Sequence, residues 1–521
     1  MTDREWSTMN ESELEELLRD SMSEPPPEDI VTEVTPWKRA TNRILVGLAL
    51  CTVTLNFWCL NYILPAIGMV LTLLGFRALR QENRWLRNCF IITAIRSAYF
   101  FPFLILNTMP IQSAVYASPV MQAATIINLG LQFVMFFSLW RGLRAVQEKA
   151  ALPPAAGGAL ALLVWFAVIC LLALVHYSGF LIAGILLVGY FFILRNLWKL
   201  SKELDEAGYA VQAAPVKVPD RTIVITICAV LCIGCVCGYL FGGSYPMDWN
   251  EIDSTEHHGV EEIKEQLLEL GFPEYVLNDL TAEDIAACEG ALQIVVDVYD
   301  HPVNDGRRVT TKEPGPPGSG VDWCYTTRII YDVKELRITG VGVQIPGERE
   351  RWIIIQHFLW TTNPGFYGTE SIQLWPTYRT ISQGWGSAGD VTGRVLYDKD
   401  GTTYTAPYYS LGDHTFTSNS IFSGEQTSTD IFATFSMPRS GENHRGYVAY
   451  PIIEMQDGYI TDCCINYTHQ RFWLQYPAMT AMEKRMTNGW SDAGVFKTVQ
   501  DALQFYPTDE AAKLISAVDT E

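Results

Sequence analysis

The chain has 521 residues, 49% of them hydrophobic, and a formal net charge of −20. That acidity argues against nucleic acid as a partner, because phosphate binding needs clustered Lys and Arg. The charge is unevenly placed: residues 1–36 carry 11 acidic and 2 basic side chains, residues 37–243 carry 6 and 16, and residues 244–521 carry 40 and 19. The expected fold class is an α-helical polytopic membrane domain of about seven spans. A mainly-β, sandwich or jelly-roll-like extracytoplasmic domain with flanking helices follows it.

Residues 1–43 read as an acidic cytoplasmic tail. Ser12 and Glu15 fit a capping box, and Leu14, Leu17, Leu18 and Met22 form a stripe at helical spacing. A short amphipathic helix over 10–22 is expected, stopped by Pro25, Pro26 and Pro27. So short a helix needs a surface, either the chain's own loops or a cytosolic partner. The leader is acidic and the first apolar run begins only at Ile44, so no cleavable secretory signal is expected. Trp37 is placed to anchor at the membrane interface.

Residues 44–243 form the transmembrane domain. A bilayer core needs about 20 helical residues, and spans are predicted at about 44–60, 62–76, 88–109, 120–140, 157–176, 179–197 and 222–243. The first two come from one apolar run interrupted by Asn61, Tyr62 and Pro65. Basic residues cluster at 38–43, 77–87, 141–149 and 195–221, whereas the loops near 110–119 and 177–179 carry no charge. Seven spans put every basic cluster on one side, which the positive-inside rule makes cytoplasmic. The N-terminus is then inside and the C-terminal domain outside. Arg96 is the only charge well inside a span, and no span offers an acidic partner. An intramembrane charge points to function by default, against the blander reading that Arg96 snorkels to the interface. No span shows repeated acids or broken half-helices of the transporter kind.

Residues 244–300 read as an extracytoplasmic helical segment: a helix over His258–Leu270 stopped by Gly271, a second over Pro273–Leu280, and a third capped by Thr281 with Asp284. A Pro/Gly-rich loop occupies 301–320. From Trp323 the period switches to two, which makes 321–521 β-rich. Trp352–Trp360 reads as a strand buried on both faces, Asp400-Gly401 as a hairpin turn, and Gly340 as a bulge. Strands are also expected at 430–437, 447–455, 459–467 and 471–476, and C-terminal helices near 478–487 and 492–505. Cys288, Cys324, Cys463 and Cys464 permit disulfides outside the membrane, with free buried thiols as the equal alternative.

The chain holds no His-Glu-x-x-His, Gly-x-Ser-x-Gly or P-loop pattern, and no metal or cofactor is expected. Asp413-His414, Glu442 with His444, and Asp462 are acid/base candidates if the fold gathers them. Aromatic residues predicted near loops, Trp375, Trp385, Tyr378, Tyr408 and Tyr409, are candidate stacking groups for an envelope glycan or peptide, weighed against a Trp-rich core. The expected role is a membrane-embedded, non-enzymatic protein whose outer domain binds or senses something and relays it inward. The alternatives are an envelope enzyme of hydrolase type, and a transporter or assembly scaffold.

Overall fold

The computed structural model describes residues 36–52, 55, 57–175, 179–209, 211, 218–253, 256–303, 308–314, 323–329, 334–379, 384–420, 424–488, 494–507 and 512–514. The expected helix 10–22 lies outside them. The chain divides into a helical unit, residues 1–104 and 117–231, and a second unit, residues 105–116 and 232–521.

Six helices are long and apolar enough to cross a membrane: α2 (Leu60–Leu79), α3 (Arg84–Leu106), α5 (Pro119–Lys149), α6 (Gly157–Leu174), α7 (Phe180–Glu206) and α8 (Asp220–Gly242). A shorter helix, α1 (Pro36–Thr52), precedes them, and a single short turn, α4 (Gln112–Ala117), precedes α5. α1 starts eight residues before the expected span, so the run 44–76 does fall on two helices. α5 and α7 run past their apolar segments because Leu, Arg, Gln, Glu and Lys all favour helix. Ser118 caps α5 by accepting a hydrogen bond from the Met121 amide, and Pro119 follows at the first helical position.

In lipid, helices gain little from apolar contact with one another, so close packing relies on small residues. α1 and α2 meet at Gly47, Gly68 and Gly75. A Cβ on Gly47 would lie 2.7 Å from the Gly68 carbonyl oxygen, and one on Gly75 would lie 2.8 Å from the Ala40 carbonyl oxygen. Trp37 is not at the surface: it is fully buried and meets Tyr209 edge-on at 5.4 Å. Starting at Pro36 turns α1's first residues inward against α7, where Thr41 bonds Ser201 at 2.6 Å.

Charges gather where helices end. Asp220, at the start of α8, accepts from Arg43 and from Arg77, each at 2.8 Å. Glu82, between α2 and α3, accepts from the Tyr209 hydroxyl at 2.7 Å and lies 3.9 Å from Lys149. Asp220 thus joins α8 to Arg43 of α1 and Arg77 of α2, and Glu82 joins the α2–α3 turn to Lys149 of α5 and to Tyr209 beyond α7.

The second unit is mostly antiparallel β-structure. Its first sheet runs β1 (Asn250–Glu251), β10 (Thr402–Pro407), β9 (Thr392–Lys399), β13 (Glu442–Glu454), β6 (Arg351–Trp360), β5 (Glu335–Ile345), β2 (Gln293–Pro302), with β8 (Trp385–Ser387) pairing to β13. Its second runs β11 (Ser410–Ser420), β12 (Gly424–Phe435), β7 (Glu370–Trp375), β14 (Thr461–Gln470), β15 (Phe496–Tyr506), β16 (Lys513–Leu514). β3 (Arg308–Pro314) and β4 (Trp323–Ile329) form a separate two-stranded ribbon.

The period of two explains the layers. On β6, Trp352, Ile354, Phe358 and Trp360 enter the core shared with the second sheet, where Ile372, Leu374, Ile465 and Leu503 face them. Ile353 and Ile355 point the other way, under Leu267, Val276, Leu277 and Ile285 from the helices α9 (Glu261–Glu269), α10 (Glu274–Leu277) and α11 (Ala282–Ala287). The strand is buried on both faces, as its continuous apolar run implied. Thr281 caps α11 by accepting from the Asp284 amide, and Asp400 and Gly401 turn the β9–β10 hairpin with φ of 52° and 81°.

Several expectations fail: residues 293–302 form β2 and residues 308–314 form β3, where a helical segment and a Pro/Gly-rich loop were expected. Residues 496–506 form β15, which pairs residue by residue with β14, where a helix over 492–505 was expected. Phe496, Val499 and Leu503 are spaced like a helix face, but Val499, Leu503 and Phe505 equally share one face of a strand. Residues 471–476 form no strand, and α12 (Ala481–Asn488) is the one helix described beyond residue 477. Gly340 is no bulge: β5 pairs without a register shift on both sides. Its missing side chain instead admits Leu503, whose Cβ would sit 2.8 Å from a Cβ at Gly340. Gly340→Val should therefore overpack the core and cost about 1–3 kcal/mol. Gly340→Val should cost less in a Leu503→Gly background, which lacks the clashing Cβ, than in the wild type. Denaturant unfolding of the purified chain, followed by near-UV circular dichroism, checks both.

Candidate functional site

In the helical unit, Arg96 lies thirteenth in the 23 residues of α3, about 18 Å along the axis from Arg84 at 1.5 Å per residue. It lines a cavity of about 480 Å³ between α1, α2, α3, α5 and α6. Its Nε donates to Asn128 Oδ1 at 3.1 Å, and one terminal nitrogen approaches the Met135 sulfur at 3.9 Å. Among the described residues no carboxylate lines the cavity. The hydroxyls of Thr72 and Thr125 donate back to carbonyls one turn earlier, so they add no free donor. Gln132 Oε1 is buried without a partner. The guanidinium thus supplies the cavity's positive charge and several free N–H groups.

In the second unit, the five aromatic candidates do not form a common exposed surface. Trp385 is 3% exposed and packs in the core between the sheets, and Tyr408 is 8% exposed with its hydroxyl donating to the Tyr447 carbonyl at 3.0 Å. Tyr378 is half-buried, edge-on to Tyr450. Trp375 ends β7 with the Arg485 guanidinium 5.7 Å above its ring. Tyr409 is 52% exposed and stacks on Tyr245 at 4.4 Å.

Exposed aromatics that share a face of one strand lie elsewhere. Trp323 and Tyr325, 51% and 72% exposed, alternate on β4 with Thr327 on the same face. Lys312 of β3, paired with Tyr325, places its ammonium 4.6 Å above the Trp323 ring. The sequence signal was the alternation Trp-x-Tyr-x-Thr next to a Pro/Gly-rich stretch. What the sequence does not display is that this ribbon joins neither sheet.

The acid/base candidates are engaged separately. Asp413 pairs with Arg379, His414 with the Ser410 hydroxyl at 3.2 Å, His444 with the Pro438 carbonyl at 3.0 Å, and Asp462 accepts from Gln504 at 3.0 Å. Among the described residues no group of His, Cys, Asp or Glu could hold a metal. Cys288, Cys324, Cys463 and Cys464 are free thiols, and burial pushes those of Cys288 and Cys463 up to about 12.

A buried charge cluster fastens the helices to the first sheet. Asp279, following α10, accepts from His357 at 2.9 Å and Arg445 at 2.8 Å, while Arg394 donates to the carbonyls of Asp279 and Leu280. Burial raises the Asp279 carboxyl, but the bonds and charges of His357 and Arg445 outweigh it and hold the pKa below its usual value. Asp279, Arg445 and Arg394 are engaged within the cluster, while the buried Nδ1 of His357 has no partner among the described residues.

No protein-family model and no curated protein matches the sequence. Among solved structures, Clostridium perfringens delta-toxin is similar over 42% of this chain and 97% of its own, at 8% identity and a TM-score of 0.17. A likeness that weak carries no argument.

His444 gives the domain an acid sensitivity. Burial pulls its pKa from 6.5 down to about 4. Between those values the unfolded chain binds a proton that the folded chain refuses, so stability falls as pH drops from 6.5 to 4. His444→Phe, which keeps the ring against Phe366, should flatten the melting temperature over that window relative to the wild type. Thermal melts of the purified chain at stepped pH measure the difference.

Proposed function

We propose that the chain is a seven-span membrane protein with a cytoplasmic N-terminus and an extracytoplasmic β-sandwich that binds an envelope glycan or peptide. The exposed Trp323–Tyr325 face of the β3–β4 ribbon carries this reading. Flat aromatic faces bury apolar area at low entropy cost and suit sugar rings and peptide side chains. The nearby Lys312 adds a cation for an acidic group.

The orientation rests on the positive-inside rule applied to the basic clusters at 38–43, 77–87, 141–149 and 195–221, of which Arg43, Arg77 and Lys149 reach two shared carboxylates. α1 then completes the seventh crossing. Relay of binding to the acidic tail is the functional extension of this reading. Its support is that the segment following α3 is fastened to the β-rich unit: Asn107 accepts from the Ala478 amide at 2.6 Å, and Gln112 donates to the Ala478 carbonyl.

Purified full-length protein, titrated with cell-wall glycan fragments and peptides, should show saturable binding. Trp323→Ala with Tyr325→Ala should weaken it at least about tenfold, equivalent to about 1.4 kcal/mol. The melting temperature should stay within a few degrees, since both side chains are exposed. Binding unaffected by the double substitution, or none across the panel, overturns the ribbon as the contact surface.

A further inference from the structure

We infer that the Arg96 cavity binds the anionic head of an amphiphile, a carboxylate or phosphate carried on an apolar chain. Three observations lead there. First, a guanidinium deep in an apolar helix has one amide oxygen and a distant sulfur for company, with most of its N–H groups unmet. A planar fork of donors fits an oxyanion bidentately. Second, the cavity, at about 480 Å³, falls in the range of small-molecule sites, and its remaining wall is largely apolar, from Leu48 and Met69 to Phe136 and Phe166. Third, its rim includes Thr125, Ile126 and Leu129, all exposed on the outer side of α5. In a membrane that side faces acyl chains, so the occupant enters from the bilayer rather than from water.

The head would accept from the Arg96 terminal nitrogens. Gln132 adds a donor, since an amide can present its NH₂ where its unpartnered oxygen now lies. The first methylenes would lie along the apolar wall and the rest of the chain would leave past Leu129. A charge that is costly when bare becomes paired, which answers why an arginine is kept at this depth.

The test uses full-length protein in a neutral detergent, with native mass spectrometry and thermal melts as readouts. The probes are oleate and dodecyl phosphate, methyl oleate as the uncharged chain, and acetate and inorganic phosphate as heads without chains. Oleate or dodecyl phosphate should bind one per chain and raise the melting temperature. Methyl oleate, acetate and inorganic phosphate should not. Arg96→Gln, close in length and uncharged, should abolish the shift. If that variant does not fold, Leu129→Trp on the lipid-facing rim should obstruct entry and remove the shift. Equal binding of methyl oleate, an undiminished shift in Arg96→Gln or in Leu129→Trp, or an equal response to acetate or inorganic phosphate alone overturns the inference. The Trp323–Tyr325 ribbon takes no part, so failure here leaves the proposed outer-domain binding untouched, and the reverse.

Discussion

One carboxylate, Asp220, holds two arginines from different helices, and the helical unit is organised around that bond. Arg43 of α1 and Arg77 of α2 both reach it at 2.8 Å. Hydrocarbon offers helices no reason to associate through apolar surface alone. What orders them is the close backbone approach at Gly47, Gly68 and Gly75 and the pairing of charges where the helices end. Glu82 repeats the device with Lys149 and Tyr209. Arg96 stands out because it lies mid-way along α3, away from these carboxylates.

The β-rich unit obeys the opposite logic, in which water drives the packing. β6 sends alternate side chains into two different apolar layers, one against the second sheet and one against α9–α11. Burying both faces of a strand leaves few places for charge, so the charges there, Asp279 with His357 and Arg445, come already paired. The packing stops at one strand pair. The β3–β4 ribbon belongs to neither sheet and carries its aromatics outward.

Much of this architecture was legible in the sequence wherever one residue property decides the outcome. Apolar length marked the helices long enough to cross a membrane, and the Asp400-Gly401 pair marked a turn that needs positive φ. Thr281 with Asp284 marked a helix start. Legibility ended where two periods fit one segment, as at 496–506, or where a partner distant in sequence decides. Gly340 reads as a bulge until Leu503 is found against it. Trp375, Trp385, Tyr378 and Tyr408 cannot be told from exposed aromatics by local pattern, because their surroundings are built by other strands. Arg96 was legible as an unpaired charge; the cavity around it, built from five helices, was not.

The account depends most on the basic helix ends facing the cytoplasm and the ribbon facing out. Single cysteines at two exposed positions decide it, Arg39→Cys in α1 and Thr327→Cys in β4, with Cys324→Ser to silence the nearest native thiol. Intact cells are treated with a membrane-impermeant maleimide and compared with permeabilised cells, with the cysteine-unsubstituted chain as background. The account predicts labelling of Thr327→Cys in intact cells and of Arg39→Cys only after permeabilisation. The reverse pattern, or both sites reacting from the same side, would contradict it.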